Sequence, residues 1–124
     1  MKYSHQRELI LSIVKATDEH PTADTIYECA RQTEPSISLG TIYRNLKLLS
    51  DEKLIITLET VDKKTHYDGD TTPHLHFICE KCNRIFDFPD NYPVPPSITY
   101  AGHTVTDKKY VYYGICVGCS KTSS

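Results

Sequence analysis

Two pairs of cysteines with the spacing Cys-x2-Cys constrain the fold of this chain more than any other feature of its sequence. Cys79 and Cys82 form the first pair, and Cys116 and Cys119 form the second. Two such knuckles present four thiolates in a tetrahedron at about 2.3 Å from one Zn²⁺ ion. Because all four positions are then filled, the metal is structural and its binding free energy contributes to folding. A rubredoxin-like iron site has the same ligand set, and redox dithiols or two unrelated pairs are the other interpretations.

The apolar runs of the chain and its amino-terminal residues indicate a cellular compartment, which in turn bears on the fifth cysteine. No apolar run approaches the roughly 18 residues of a transmembrane helix, and MKYSHQRELIL lacks the apolar segment of a signal peptide. We therefore expect a cytoplasmic protein with no membrane partner, whose cysteines stay reduced. Cys29 lies on the apolar face of a predicted helix and is expected to be a small core residue, with a thiol sensor as the alternative.

Length and charge limit the classes of function. The chain has 124 residues and a net charge of −2, which suits one compact domain or two very small ones. The lack of a basic excess argues mildly against a nucleic-acid binder held by bulk electrostatics. It permits a dimer that places a few cations well.

Residues 1–53 carry the apolar periodicity of three short helices. Ser4, Thr22 and Ser38 are their predicted N-caps. The inward-facing positions are Leu9, Ile10, Ile13 and Val14 on the first helix, Ala23, Ile26, Cys29 and Ala30 on the second, and Leu39, Ile42, Leu46 and Leu49 on the third.

A short hairpin follows the third helix. Residues 54–58 are rich in β-forming side chains, residues 62–64 read as a turn, and residues 65–67 as the returning strand. Three helices and a hairpin predict a winged helix-turn-helix domain over residues 1–68, with the third helix reading DNA and the hairpin as the wing.

The composition changes after GDTTP, residues 69–73, which reads as a hinge. In the domain predicted for residues 74–124, the segments HLHFIC and RIFDF are strands on either side of the first cysteine knuckle. PDNYPVPPSITYAG holds four prolines and is expected to loop. HTVTDKKYVYYGIC reads as two strands joined near Asp107 and Lys108, leading into CVGC.

A second group of metal-binding side chains surrounds the first knuckle. On a strand, His74 and His76 project to the same face, and Asp68 and Asp87 lie nearby in the sequence. Imidazoles with carboxylates suit Fe²⁺, Mn²⁺ or Zn²⁺ better than Ca²⁺ or Mg²⁺. The spacing alone leaves a second metal site and ordinary structural histidines equally open, and gives little reason to include His20.

The segments HPTADTIY, SLGTIYRNL, HLHFICEKC and YGICVGC, in this order, resemble the ferric uptake regulator family of metal-dependent transcriptional repressors. The resemblance covers essentially the whole chain. It implies an α+β protein with an N-terminal winged helix-turn-helix domain and a small C-terminal α/β dimerisation domain that holds a four-cysteine zinc site. It also implies a homodimer bound to a palindromic double-stranded DNA operator.

The resemblance assigns two sets of metal ligands. The structural Zn²⁺ ligands are Cys79, Cys82, Cys116 and Cys119. The ligands of a regulatory Fe²⁺ or Mn²⁺ ion are His20, Asp68, His74, His76 and Asp87. An ion held by residues of both domains would favour one relative orientation and so couple metal binding to DNA binding.

Two ligand positions bear on the branch of the family. Asp68 and Asp87 resemble the peroxide-stress regulators, whereas iron-uptake regulators usually carry glutamate at the position of Asp87 and often at that of Asp68. The implied mechanism is oxidation of a histidine, His20 or His74, by peroxide at bound Fe²⁺. Leu75 and Lys108 occupy positions where many iron sensors carry ligands of a further site, which is therefore expected to be absent. The alternative is an iron-responsive, or zinc- or manganese-responsive, uptake repressor without peroxide sensing.

The third helix carries the side chains that the resemblance assigns to DNA. Tyr43 and Arg44 match the base-contacting positions, because Arg bridges guanine O6 and N7 and Tyr packs against a thymine methyl group. The predicted phosphate contacts are Thr41, Asn45 and Lys47, and Lys2 matches a basic residue that enters the minor groove. The alternative is an ordinary solvated helix face.

Two departures from the family pattern carry expectations of their own. The opening residues MKYSHQR match the end of an additional first helix, so we expect that helix to be absent. The proline-rich segment replaces a long helix that usually packs along the dimer interface, which predicts a smaller interface.

A small redox metalloenzyme and a zinc-ribbon protein-interaction module are the competing classes of function. No nucleophile or cofactor motif supports the enzyme, and the helix-turn-helix pattern disfavours the module.

Overall fold

The structure is a computed structural model that describes residues 4–89, 91–96 and 98–122. The chain divides into two compact units, Met1–Thr71 and Thr72–Ser124. Lys2, which is predicted to enter the minor groove, lies outside the described residues. Within the described ranges no helix has both the length and the apolar character that crossing a membrane requires.

Three helices open the first unit: α1 (His5–Lys15), α2 (Ala23–Thr33) and α3 (Leu39–Asp51). Each begins directly after its predicted N-cap. The hydroxyl oxygens of Ser4, Thr22 and Ser38 each accept a hydrogen bond from the backbone N–H group three residues further along. These bonds satisfy N–H groups that have no partner inside the helix, so the local sequence determines where each helix begins.

One aliphatic core joins the three helices. Ile10, Ile26, Ile42 and Leu46 are fully buried in it, and Tyr67 of the hairpin packs against them. Cys29 was expected in this core, but its side chain is exposed. At 3.6 residues per turn, Cys29 lies about 90° from the centre of the buried stripe of α2. Leu39, at the first position of α3, is also 36% exposed.

The hairpin that follows α3 consists of β1 (Ile56–Glu59) and β2 (Thr65–Asp68), which pair antiparallel. The predicted winged helix-turn-helix arrangement is therefore present. Thr22, which precedes α2, forms an isolated antiparallel bridge with His66 of β2, so a short third segment pairs with the hairpin. Gly69 leaves β2 against the end of α1, where a Cβ atom at residue 69 would lie 2.8 Å from the Cα atom of Lys15.

The second unit is built on a three-stranded sheet in the order β4-β3-β5. Its elements are β3 (His76–Cys79), β4 (Ile85–Asp87), β5 (Val111–Gly114) and α4 (Val117–Thr122). Strand β3 pairs antiparallel with β4 and parallel with β5. The described residues between β4 and β5 form no helix, as the prolines predicted.

One expectation for the second unit is wrong. Residues 104–110 do not form a strand that turns back near Asp107 and Lys108, because β5 takes its partner from β3 instead. A parallel partner needs a long crossover connection rather than a hairpin. The last cysteine pair overlaps the short helix α4, in which Cys119 lies.

Candidate metal centres and DNA-reading helix

The four cysteines of the two pairs meet in one cluster in the second unit. Their Sγ atoms all lie within 4.8 Å of one another. The distance from Cys79 to Cys119 is 3.8 Å, and so is the distance from Cys82 to Cys116. An ideal tetrahedron of sulfur atoms at about 2.3 Å from Zn²⁺ has edges of about 3.8 Å. The cluster therefore has the size of a closed zinc site.

The strand register explains how two distant pairs come together. Cys79 is the last residue of β3 and pairs with Gly114, the last residue of the parallel strand β5. Parallel neighbours end at the same edge of a sheet, so the two pairs begin side by side. The N–H of Cys116 then donates to the Sγ atom of Cys79 at 3.4 Å.

Backbone hydrogen bonds also set the ionisation of the cluster. The N–H groups of Cys116, Cys82 and Lys81 donate to the Sγ atom of Cys79, at 3.4 Å each, and lower the pKa of that thiol to about 6. The pKa of Cys119 is raised to about 12, chiefly by its contact with the Cys116 side chain. A bound Zn²⁺ ion would hold all four sulfurs ionised.

The predicted regulatory ligands are divided between the two units. In the first unit, His20 Nε2 lies 3.4 Å from Asp68 Oδ2, and both side chains are buried. The other carboxylate oxygen of Asp68 accepts a hydrogen bond of 2.9 Å from the N–H of Asp70, which fixes the orientation of the carboxylate.

The second unit holds the other three predicted ligands. His76 and Asp87 face each other on β3 and β4, with His76 Nε2 at 3.2 Å from Asp87 Oδ1. His74 precedes β3 rather than lying on it, but its Nε2 atom is 3.5 Å from the same oxygen. Its Nδ1 atom lies 2.7 Å from the carbonyl oxygen of Thr72. Because a carbonyl only accepts, Nδ1 carries the proton and Nε2 carries the lone pair that can bind a metal.

The donor atoms in both units suit a transition metal. Two ligand atoms at about 2.1 Å from one ion lie about 3.0–3.4 Å apart in octahedral or tetrahedral geometry. The distances of 3.2–3.5 Å between imidazole and carboxylate are close to this range. Mixed imidazole and carboxylate ligands suit Fe²⁺ or Mn²⁺, whereas the four thiolates suit Zn²⁺.

The outward face of α3 carries most of the predicted DNA contacts. Tyr43 is 51% exposed, and Arg44 is exposed with its Nη2 atom donating to Thr41 Oγ1 at 2.9 Å. Lys47 is exposed and pairs with an aspartate one turn away. Asn45 differs from the expectation of a phosphate contact: it is only 8% exposed, and its amide donates to the Thr41 carbonyl at 2.9 Å.

One residue near the metal ligands was not singled out by its sequence. His66 lies on β2 two residues before Asp68, and its Nδ1 atom is 2.7 Å from the carbonyl oxygen of His20. The sequence could have indicated His66, because residues two apart on a strand share a face and His66 therefore lies on the same side of β2 as Asp68. The partner of His66 could not be found this way, since it lies far back in the sequence.

Comparison with known families identifies the class of protein. The model of the ferric uptake regulator family matches residues 1–95. The chain belongs to the ferric uptake regulator family. This family consists of dimeric, DNA-binding, metal-responsive transcriptional regulators rather than enzymes.

Relatives of this ferric uptake regulator family member include peroxide-responsive repressors. The peroxide-responsive repressor PerR of Staphylococcus saprophyticus is 35% identical over 96% of this chain and 82% of its own length. The PerR of Staphylococcus epidermidis is 33% identical over 98% of this chain and 83% of its own length.

Solved structures of the family share the fold. The Campylobacter jejuni peroxide stress regulator matches with a TM-score of 0.72 and 29% identity, over 92% of this chain and 88% of that chain. The Helicobacter pylori ferric uptake regulator matches with a TM-score of 0.77 over all of this chain and 85% of that chain. At 24% identity, the second match bears on the fold alone. Both support the predicted α+β class with a winged helix-turn-helix domain.

Proposed function

We propose that this protein is a metal-dependent repressor that senses hydrogen peroxide through oxidation of a histidine at an iron site. The observation that carries the proposal is the pairing of every proposed imidazole ligand with an aspartate, His20 with Asp68 and His74 and His76 with Asp87. The names of its relatives in two staphylococci support the same function.

The regulatory ion is proposed to take ligands from both units: His20 and Asp68 from the first, and His74, His76 and Asp87 from the second. An ion bound in this way stabilises the arrangement in which all five ligands reach it. It shifts the population toward that arrangement only by the difference between its affinities for the two states. Loss of one imidazole ligand reduces the difference between the ion's affinities for the two arrangements. The population then shifts away from the DNA-binding arrangement, and the DNA is released.

The chemical step oxidises the protein once and is not catalytic turnover. Bound Fe²⁺ supplies the redox chemistry that activates peroxide. In the net reaction an imidazole ring, of His20 or His74, gains one oxygen atom and gives up two electrons, while hydrogen peroxide is reduced to one water molecule. Bound Mn²⁺ holds the same ligands without supporting this reaction, so it serves as the control metal.

DNA binding is proposed to use a homodimer on a palindromic operator. Each third helix would lie in a major groove, with half-sites about 34 Å apart or a multiple of that distance. Tyr43 and Arg44 would read bases, and Thr41 and Lys47 would contact phosphates. Arg44→Ala is then expected to cost about 1–3 kcal/mol of operator binding. An equal loss on operator and scrambled DNA would exclude base reading by Arg44.

Anaerobic DNA binding tests the peroxide mechanism. Zinc-replete protein is loaded with Fe²⁺ or Mn²⁺, mixed with operator-type DNA, and treated with micromolar hydrogen peroxide. We expect the Fe²⁺ form alone to lose binding, with one added oxygen found by mass spectrometry on the peptides that contain His20 or His74. Metal-dependent binding that survives peroxide without histidine oxidation would identify an iron-, zinc- or manganese-responsive uptake repressor instead.

A further inference from the structure

His20 has an unusual backbone conformation for a residue with a side chain. Its φ angle is +54°, in the left-handed region that is uncommon for residues other than glycine, although histidine is one of the types found there more often. It is followed by Pro21, which has no N–H to donate, and by Thr22, the N-cap of α2. A conformation of this kind persists only where surrounding interactions hold it.

Two hydrogen bonds from β2 hold this segment. The N–H of Tyr67 donates to the Pro21 carbonyl oxygen at 2.9 Å, and the Nδ1 atom of His66 lies 2.7 Å from the His20 carbonyl oxygen. Because the carbonyl can only accept, His66 must donate from a protonated Nδ1 atom. The bridge between Thr22 and His66 continues the same pairing.

Strand β2 thereby contacts both ends of His20. His66 and Asp68 are two residues apart on the strand, so their side chains share a face. His66 holds the backbone carbonyl of His20, while Asp68 lies 3.4 Å from the far nitrogen of its ring. The orientation of the His20 ring relative to Asp68 thus depends on both contacts.

We infer that His66 is a positioning residue for His20: its Nδ1–H group holds the His20 carbonyl and so keeps the His20 ring beside Asp68. The inference rests on the proposed function, in which His20 is a ligand of the regulatory ion. Without the donor, His20 relaxes to an ordinary backbone conformation and its ring moves away from Asp68. Metal affinity then falls, and so does oxidation of His20 relative to His74.

Two substitutions separate positioning from simple packing. His66→Phe keeps a ring of similar size and removes the donor, whereas His66→Asn retains an N–H donor near the position of Nδ1. We expect His66→Phe to weaken Mn²⁺ binding about 10- to 100-fold, as second-sphere changes commonly do, and His66→Asn to restore most of the affinity. His103→Phe, at an exposed position of the second unit, is the matched control and should bind Mn²⁺ like the wild type.

The experiment titrates zinc-replete full-length protein with Mn²⁺ and follows binding by electron paramagnetic resonance. Fe²⁺ and peroxide are then used to measure the ratio of oxidised His20 to oxidised His74 by mass spectrometry. The expected result is a lower ratio in His66→Phe and a wild-type ratio in His66→Asn. Wild-type affinity and ratio in His66→Phe would overturn the inference, and so would equal losses in both variants. Failure of the wild type itself to bind Mn²⁺ or to oxidise either histidine would instead overturn the proposed function.

A measurement on the unaltered protein covers the case in which His66→Phe does not fold. Nitrogen-edited NMR spectra of the imidazole rings report which nitrogen carries the proton. We expect His66 in the zinc-replete protein to be protonated at Nδ1, with a proton protected from exchange. A His66 ring protonated only at Nε2 would overturn the inference without any substitution.

Discussion

Gly69→Ala tests the contact between the end of β2 and the end of α1. The added Cβ atom would lie 2.8 Å from the Cα atom of Lys15 and 3.0 Å from its backbone nitrogen. Ordinary contacts begin near 3.4 Å, so the two segments must separate by about 0.6 Å. The Cα and N atoms belong to the backbone, which cannot swing aside as the end of a side chain can. Overpacking of this kind costs about 1–3 kcal/mol.

The assay is urea unfolding of the zinc-replete protein followed by circular dichroism. Most of the helical signal comes from α1, α2 and α3, so the helical transition reports on the first unit. A loss of 1 kcal/mol lowers the melting temperature of a domain of 60–100 residues by about 4–8 °C, which makes thermal unfolding an independent check. Because Gly69 directly follows Asp68, we also expect weaker Mn²⁺ binding at the proposed regulatory site.

Gly40→Ala is the matched control, because it makes the same chemical change where space is available. Its Cβ atom would lie 3.5 Å from Arg44 Nη1 and 3.9 Å from Ser38 Oγ, both ordinary contacts. Alanine favours a helix over glycine by up to about 1 kcal/mol, so this variant should be at least as stable as the wild type. A Gly69→Ala variant that equals or exceeds the wild type in stability would refute the steric argument.

Three further predictions concern the core, a helix cap and the zinc site. Leu46→Ala, at a fully buried position, should lower the free energy of unfolding by about 2–5 kcal/mol. Leu48→Ala is the control, since Leu48 is 42% exposed, and should change that free energy by no more than about 0.5 kcal/mol. Equal losses of stability in the two variants would contradict the assigned core. Ser38→Ala removes the cap of α3 and should cost about 0.5–2 kcal/mol in the same assay, and an unchanged value would show that the cap is dispensable. Cys116→Ser should prevent the binding of one Zn²⁺ ion per chain and expose the second unit to proteolysis, and a strong chelator should have the same effect on the wild type. A variant that still contains one Zn²⁺ per chain by metal analysis would count against the four-cysteine site.

Local chemistry explains what could be predicted from the sequence. The caps Ser4, Thr22 and Ser38 act on N–H groups only three residues away, so the helix starts follow from short segments. The cysteine cluster was predictable for a related reason, because ligand type and spacing specify a closed site whatever the chain does between the pairs. The proposed regulatory ligands needed the family resemblance, since two histidines and two aspartates are common without a metal.

Non-local pairing explains what could not be predicted. Strand β5 pairs parallel with β3 across the long connection between them, and the alternation of residues 104–114 fits other strand arrangements equally well. Whether Cys29 is buried depends on which face of α2 meets its neighbours. Cys29 and Ala30 are adjacent, and the apolar pattern of α2 alone does not decide which of the two lies at the centre of the buried face. The hydrogen bond from His66 to the His20 carbonyl joins segments 46 residues apart in the sequence. Nothing in either segment specifies the other as its partner.

The parallel pairing of β3 with β5 has a consequence for how the second unit is made. A ribosome produces β3, β4 and the first cysteine pair well before β5 and the second pair exist, so an early chain can form only the antiparallel half of the sheet. Until Cys116 and Cys119 emerge, the far side of β3 offers its unpaired backbone groups to any extended chain nearby. Binding of Zn²⁺ to both cysteine pairs contributes free energy that offsets the conformational entropy lost when the loop from residue 79 to residue 116 closes. Without zinc, β3 is therefore expected to remain open to pairing with other extended chains on the side that β5 occupies in the complete fold.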